Sequence, residues 1–182
     1  MNPMKLFLQF VLVAMALSIA AYFVLAPKTT NTSISYNLSA PEAAAAIQQF
    51  SFLDLEEKRQ PLSQWKGKIM VLNFWATWCP PCRAEIPDFV KFQKAYASKG
   101  VQIVGIAIDQ KSKVVDFAKE YKMNYPVLLG DLAGIDLAKR IGNKEGGLPY
   151  TVVVGQDGKI VATQLGAISY EKLQVTIEQL FN

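Results

Sequence analysis

The chain has 182 residues, a formal net charge of +4 and a hydrophobic fraction of 51%, which fits one folded domain with something added and excludes disordered or fibrous classes. Its basic residues are scattered, with no run interleaved with aromatics of the kind a nucleic-acid groove needs. It has two cysteines and no histidine, which excludes a Cys–His hydrolase, a Ser–His–Asp triad, histidine-bearing zinc or copper sites and a four-cysteine zinc site.

Residues 6–26 are uncharged and almost wholly apolar, long enough to cross a hydrocarbon core as a helix. Val24-Leu25-Ala26 is the best small-residue cleavage candidate, but Pro27 follows it, so an uncleaved anchor is expected in preference to a removed signal sequence. Lys5 and the amino terminus outweigh Lys28, which places residues 1–5 in the cytoplasm and everything after the span on the extracytoplasmic side. Residues 27–49 read as a Thr-, Asn- and Ser-rich linker. Within it, Ser39-Ala40-Pro41-Glu42 has the spacing of a capping box and predicts a short, peripheral helix over 40–47.

The globular domain is expected over 50–182. Phe50 to Leu55 predicts a strand, Glu56 to Arg59 a turn, and Leu62 to Lys68 an approach to the strand Ile69–Trp75, apolar on both faces apart from Asn73. Cys79 and Cys82 then stand two residues apart where a buried strand gives way to a helix. A helix start carries unpaired N–H groups and a partial positive charge, so a sulfur placed there ionises more readily, and the thiolate is the form that attacks disulfides. A redox couple, a weak soft-metal site and a structural bridge are the three roles open to such a pair.

The helix predicted over 81–99, with Pro87 bending its axis, presents Ile86, Phe89, Val90 and Phe92 on one face and ends at Gly100. Val101–Ile108 is a second continuous apolar strand. A helix over 112–121, a strand over 126–129, a helix over 133–141 and a strand over 151–154 follow. Asp157-Gly158 turns the chain into a strand over 159–165, and Ser169 caps a closing helix over 170–181. Strands alternating with helices and ending in a hairpin predict an α/β sandwich around a mixed sheet.

Leu62-Ser63-Gln64-Trp65-Lys66-Gly67-Lys68, Asn73-Phe74-Trp75-Ala76-Thr77-Trp78-Cys79-Pro80-Pro81-Cys82, Glu85 and Gly147-Leu148-Pro149 occur in that order. On these residues the stretch from Phe50 to Asn182 resembles the thioredoxin superfamily, and within it the membrane-anchored thiol–disulfide reductases related to TlpA, ResA and CcmG. The strand–helix unit inserted over 109–131 fits that group better than thioredoxin itself. The resemblance implies that Cys79 is the exposed attacking sulfur and Cys82 the resolving one beneath it, that Pro149 is cis and packed on the pair, and that Leu148 offers its backbone to a substrate peptide. It also supports Glu85 as a proton carrier, the alternative being a solvated acid in the first helical turns. Asn73 stands where thioredoxin has a buried aspartate and cannot act as an acid or base. Trp78 is expected as a surface platform for partners, Trp65 and Trp75 as core. Tyr150 either shapes substrate access or packs in the core.

Pro80 and Pro81 have no N–H to give the Cys79 sulfur, which leaves the Cys82 N–H as its local donor and points to a reducing or intermediate couple. No metal or cofactor is expected beyond the Cys79–Cys82 disulfide. The expected partners are protein disulfides, apocytochrome c among the candidates, and a transmembrane electron donor of the DsbD or CcdA kind. A general oxidant or isomerase, and a Cu(I)-delivery module holding the ion between two thiolates, are the competing functions.

Overall fold

The computed structural model describes residues 40–181. The expected cytoplasmic terminus, membrane span and first part of the linker (1–39) lie outside the described residues. Among the described residues no helix is long and apolar enough to cross a membrane.

Seven strands form one sheet. In chain order the elements are α1 (Ala40–Gln49), β1 (Ser51–Asp54), β2 (Arg59–Pro61), β3 (Ile69–Trp75), α2 (Pro80–Tyr96), β4 (Val101–Ala107), α3 (Lys111–Glu120), β5 (Val127–Leu129), α4 (Asp131–Arg140), β6 (Tyr150–Val154), β7 (Ile160–Leu165) and α5 (Tyr170–Glu178). The sheet order is β2-β1-β5-β4-β3-β6-β7. β3 pairs in parallel with β4 and β4 with β5, while the remaining pairs are antiparallel. The expected thioredoxin-like sandwich, with its inserted unit appearing as α3 and β5, is therefore the observed architecture.

Side chains alternate across a strand, and that alternation sorts the core. Met70, Leu72 and Phe74 of β3, with Val104 and Ile106 of β4, pack on one face with Ala43 and Ile47 of α1 and Leu137 and Ala138 of α4. Ile69 and Val71 point the other way, toward Phe89 and Phe92 of α2 and Leu173 and Ile177 of α5. Trp75 continues that second row among Ile86 of α2 and Val114 and Phe117 of α3. Asn73 belongs to the same row, so the pleat aims the one polar residue of β3 at the underside of α2.

Two local expectations need correction. The helix predicted as peripheral is part of the core: Ala43, Ala46 and Ile47 are buried, at the i, i+3, i+4 spacing that lays one helical face on a neighbour. Ile47→Ala removes a fully enclosed side chain and should lower unfolding stability by about 2–5 kcal/mol in urea titrations. The expected turn over 56–59 is shorter than predicted, because Arg59 already enters β2 and pairs with Leu53. Elsewhere the elements fall close to their predicted positions. α2 continues through Pro87 to Tyr96. It is followed by a 3-10 turn (Ala97–Lys99) that Gly100 closes at φ +82°, the left-handed conformation a glycine adopts without strain. Ser169 caps α5 by accepting from the Lys172 N–H at 3.3 Å.

Candidate active site

Cys79 is the N-cap of α2, with proline at the first two helical positions. Its sulfur is joined to that of Cys82, the Cα atoms standing 5.3 Å apart. The Cys82 N–H donates to Cys79 Sγ at 3.3 Å, the donor that the two prolines leave available. The expected exposure of Cys79 is not observed. It is 3% exposed and Cys82 is fully enclosed, because both sulfurs pack into the apolar cluster of Trp75, Ile86 and Phe117, with Leu148 against its edge. Trp78, in contrast, is 64% exposed and, with Phe74, Ile108, Ile135 and Leu148, lines an apolar cleft. The Leu148–Pro149 peptide is cis, as expected. Asn143 Nδ2 holds the loop before it by donating to Gly147 O at 2.8 Å.

Trp65 and Trp75 are buried, and Tyr150 belongs with them rather than to the surface. Its ring packs against Phe74 and its hydroxyl donates to Ile141 O at 2.8 Å.

Glu85 is 3% exposed, so the alternative of a solvated acid is excluded. It projects from α2 onto the row that β3, β6 and β4 present in register: Thr151, Asn73 and Gly105. Asn73 Nδ2 donates to Glu85 Oε1 at 2.8 Å, and the Ile168 N–H, just before α5, donates to Oε2 at 3.0 Å. Burial pushes the carboxyl up from its ordinary value near 4.5 to about 7, the two hydrogen bonds pulling the other way. It can therefore take or give a proton near neutral pH, three residues from Cys82 on the same helix.

Three contributors escaped the sequence reading. Thr151 and the Ile168 backbone reach the carboxyl's surroundings from distant parts of the chain. Thr151 stands out in hindsight as the polar residue among the valines of β6. Asp109, just past β4, accepts at Oδ2 from both the N–H (3.1 Å) and the hydroxyl of Thr77, and at Oδ1 from the Gln110 N–H. It thereby ties down the segment entering the cysteine pair. Burial works to raise the Asp109 pKa, but the bonds from Thr77 and Gln110 outweigh it and keep the group ionised.

A sheet of this order with a Cys-Pro-Pro-Cys disulfide opening α2 and a cis-proline loop before β6 defines a thioredoxin-fold redox protein. Residues 42–177 match the redoxin family. The thiol-disulfide oxidoreductase ResA of a Bacillus cereus strain is 34% identical over 132 residues, 72% of this chain and 74% of the relative. ResA of Bacillus subtilis (strain 168) is 35% identical over 138 residues, 75% and 71% of the two chains. Among solved structures, a thiol:disulfide interchange protein of Chlorobium tepidum TLS superposes with a TM-score of 0.67 at 32% identity, covering 73% of this chain and 93% of that one. A secreted Mycobacterium tuberculosis disulfide oxidoreductase homologous to Escherichia coli DsbE gives 0.63 at 26% identity, covering 75% and 98%. The chain belongs to the redoxin family of the thioredoxin superfamily, among the ResA-like thiol–disulfide oxidoreductases.

Proposed function

We propose that this oxidoreductase works as an extracytoplasmic reductase of protein disulfides, held to the membrane by residues 6–26, with no metal or cofactor beyond its own dithiol. The observation that carries the direction of electron flow is the Pro80–Pro81 pair under Cys79. With no N–H at the first two helical positions, the sulfur depends on the single bond from Cys82 N. A weakly stabilised thiolate makes the dithiol state less favoured and the couple more reducing.

In the reaction, the Cys79 thiolate attacks one sulfur of a substrate disulfide and expels the other as a thiolate, which takes a proton. Cys82 then gives its proton to the Glu85 carboxylate and attacks Cys79 Sγ. The Cys79–Cys82 bond closes, the second substrate sulfur leaves, and two electrons have passed to the substrate. Trp78 and the Leu148–Pro149 loop form the substrate-facing side, where the cleft seats an apolar side chain and the Leu148 backbone bonds an extended peptide. The oxidised enzyme needs two electrons from a dithiol donor, which in an oxidising compartment means a transmembrane partner of the DsbD or CcdA kind. The setting proposed on the resemblance to the TlpA, ResA and CcmG reductases is cytochrome c maturation, with apocytochrome c among the candidate substrates.

Redox titration of the full chain against glutathione tests the direction. The expected midpoint lies nearer the roughly −270 mV of thioredoxin than the roughly −120 mV of DsbA. A midpoint close to the latter would make the chain an oxidant and overturn this reading.

A further inference from the structure

Both oxygens of Glu85 face hydrogen-bond donors. Asn73 Nδ2 reaches Oε1 and the Ile168 N–H reaches Oε2. The second Nδ2 hydrogen is directed to Thr151 Oγ1, 3.2 Å away, so both amide hydrogens of Asn73 are in use. Its Oδ1, in contrast, is buried without a hydrogen-bond partner. An ionised carboxylate accepts only and matches this arrangement, whereas a neutral carboxyl carries an O–H that needs an acceptor. A proton placed where either donor now points would set hydrogen against hydrogen.

The Ile168 N–H is backbone and cannot turn away. The Asn73 amide can, because its terminal torsion is broad and roughly two-fold. Turned over, Oδ1 takes the place of Nδ2, accepts from the Glu85 O–H on one side and from the Thr151 hydroxyl on the other. Thr151 exchanges acceptor for donor by rotating its hydrogen. An aspartate at position 73 would add a second buried charge, and an aliphatic residue would serve neither form of Glu85. Asparagine offers the carboxyl a donor or an acceptor, its other amide group standing in either case where Oδ1 now lies without a partner.

We propose that Asn73 and Thr151 form a two-position hydrogen-bond switch: the Asn73 amide turns over with the protonation of Glu85, so a closed core accommodates either form of the carboxyl. This deepens the reading of Glu85 as the proton carrier and rests on it, with Asn73 and Thr151 as positioning residues. The groups around the carboxyl are few. On α2 itself Cys82 and Asp88 are each three residues away, and the Asp88 carboxyl accepts from the Tyr170 N–H. β3 and β6 contribute neutral Asn73 and Thr151, and the segment before α5 contributes the Ile168 N–H. The segment before β5 contributes the Tyr125 phenol, which burial and then the Glu85 charge push well above its ordinary range.

The test is a pH titration of the oxidised full chain between pH 4 and 9, labelled with 15N in asparagine side chains and 13C in glutamate carboxyls. Both Asn73 amide hydrogens should shift with the same midpoint as the Glu85 carboxyl carbon. In Glu85→Gln, whose side-chain N–H₂ stands in for the protonated acid, they should remain at the wild-type low-pH position throughout. Asn73 signals that stay still while Glu85 titrates, signals fixed at the high-pH position in Glu85→Gln, or a Glu85 that never changes charge would each overturn the switch. The wild-type titration decides the matter if the variant does not fold. Disulfide turnover, assayed separately on the same wild-type protein, reports the enzymatic reading, so the two fail by different measurements.

Discussion

Cys79→Ser abolishes disulfide exchange, whereas Cys82→Ser leaves the first attack intact and arrests the enzyme as a mixed disulfide with its substrate. The asymmetry follows from the site. Cys79 caps α2 and is 3% exposed as a residue, while Cys82 lies within the first turn of the helix and is fully enclosed. An incoming sulfur can therefore meet Cys79 but not Cys82. A serine hydroxyl remains protonated at neutral pH and does not attack disulfides, so Cys79→Ser should reduce turnover of a model protein disulfide by about a thousandfold or more, the scale seen when an attacking nucleophile is removed. Cys82→Ser should give equally little turnover but accumulate a covalent adduct, visible as a mass increase under non-reducing conditions and released by reductant. Expressed in cells, the same variant would capture the physiological substrate and identify it. Equal trapping by the two single variants would contradict the assignment of roles.

Glu85→Gln removes the pH dependence of the resolving step and the loss of stability that Glu85 causes as pH rises. In the proposed mechanism the carboxylate must be ionised to take the Cys82 proton, and its midpoint of about 7 should then appear as the pH at which the rate of mixed-disulfide resolution reaches half its plateau. Glutamine cannot accept that proton, so stopped-flow measurements above pH 7 should show a rate lower by about 10²-fold and without that midpoint. The stability effect has a definite sign. A carboxyl whose folded pKa is raised contributes its full stabilisation below the unfolded value near 4.5, and loses it as pH rises through about 7. The shift corresponds to roughly 3 kcal/mol. Urea titrations of oxidised protein should therefore show the variant gaining about that much on the wild type between pH 4 and pH 9. Parallel stability profiles would mean that Glu85 is not held neutral by the fold.

Much of this was readable in the residues because it is encoded locally. The continuous apolar runs of β3 and β4 predict buried central strands, Ser169 marks the start of α5, and Cys79-Pro80-Pro81-Cys82 states its own chemistry: two sulfurs at a helix start with the first two N–H groups removed. α1 was legible in part. Its capping box gave the helix, and the spacing of Ala43, Ala46 and Ile47 carried an apolar face, but small alanines give a weak signal of burial, and only the sheet lying beneath them shows that the helix belongs to the core. β2 was missed because three residues carry no period, and they form a strand only by pairing with β1.

What the tertiary structure alone decided concerns the two sulfurs and the carboxyl. Cys79 reads as an exposed N-cap from its position in the chain, yet the packing of Trp75, Ile86 and Phe117 encloses it, an outcome set by residues from three separate elements. Glu85 reads as an acid one turn below Cys82, but its environment comes from Asn73, 12 residues away, and from Ile168, 83 residues away. Burial and hydrogen bonding set a carboxyl's pKa, and both depend on what the fold brings around it. The sequence by itself determined that Asn73 through Glu85 is a dithiol site built for disulfide exchange. The fold determined how far that site is shielded, and why its one buried acid changes charge near neutral pH.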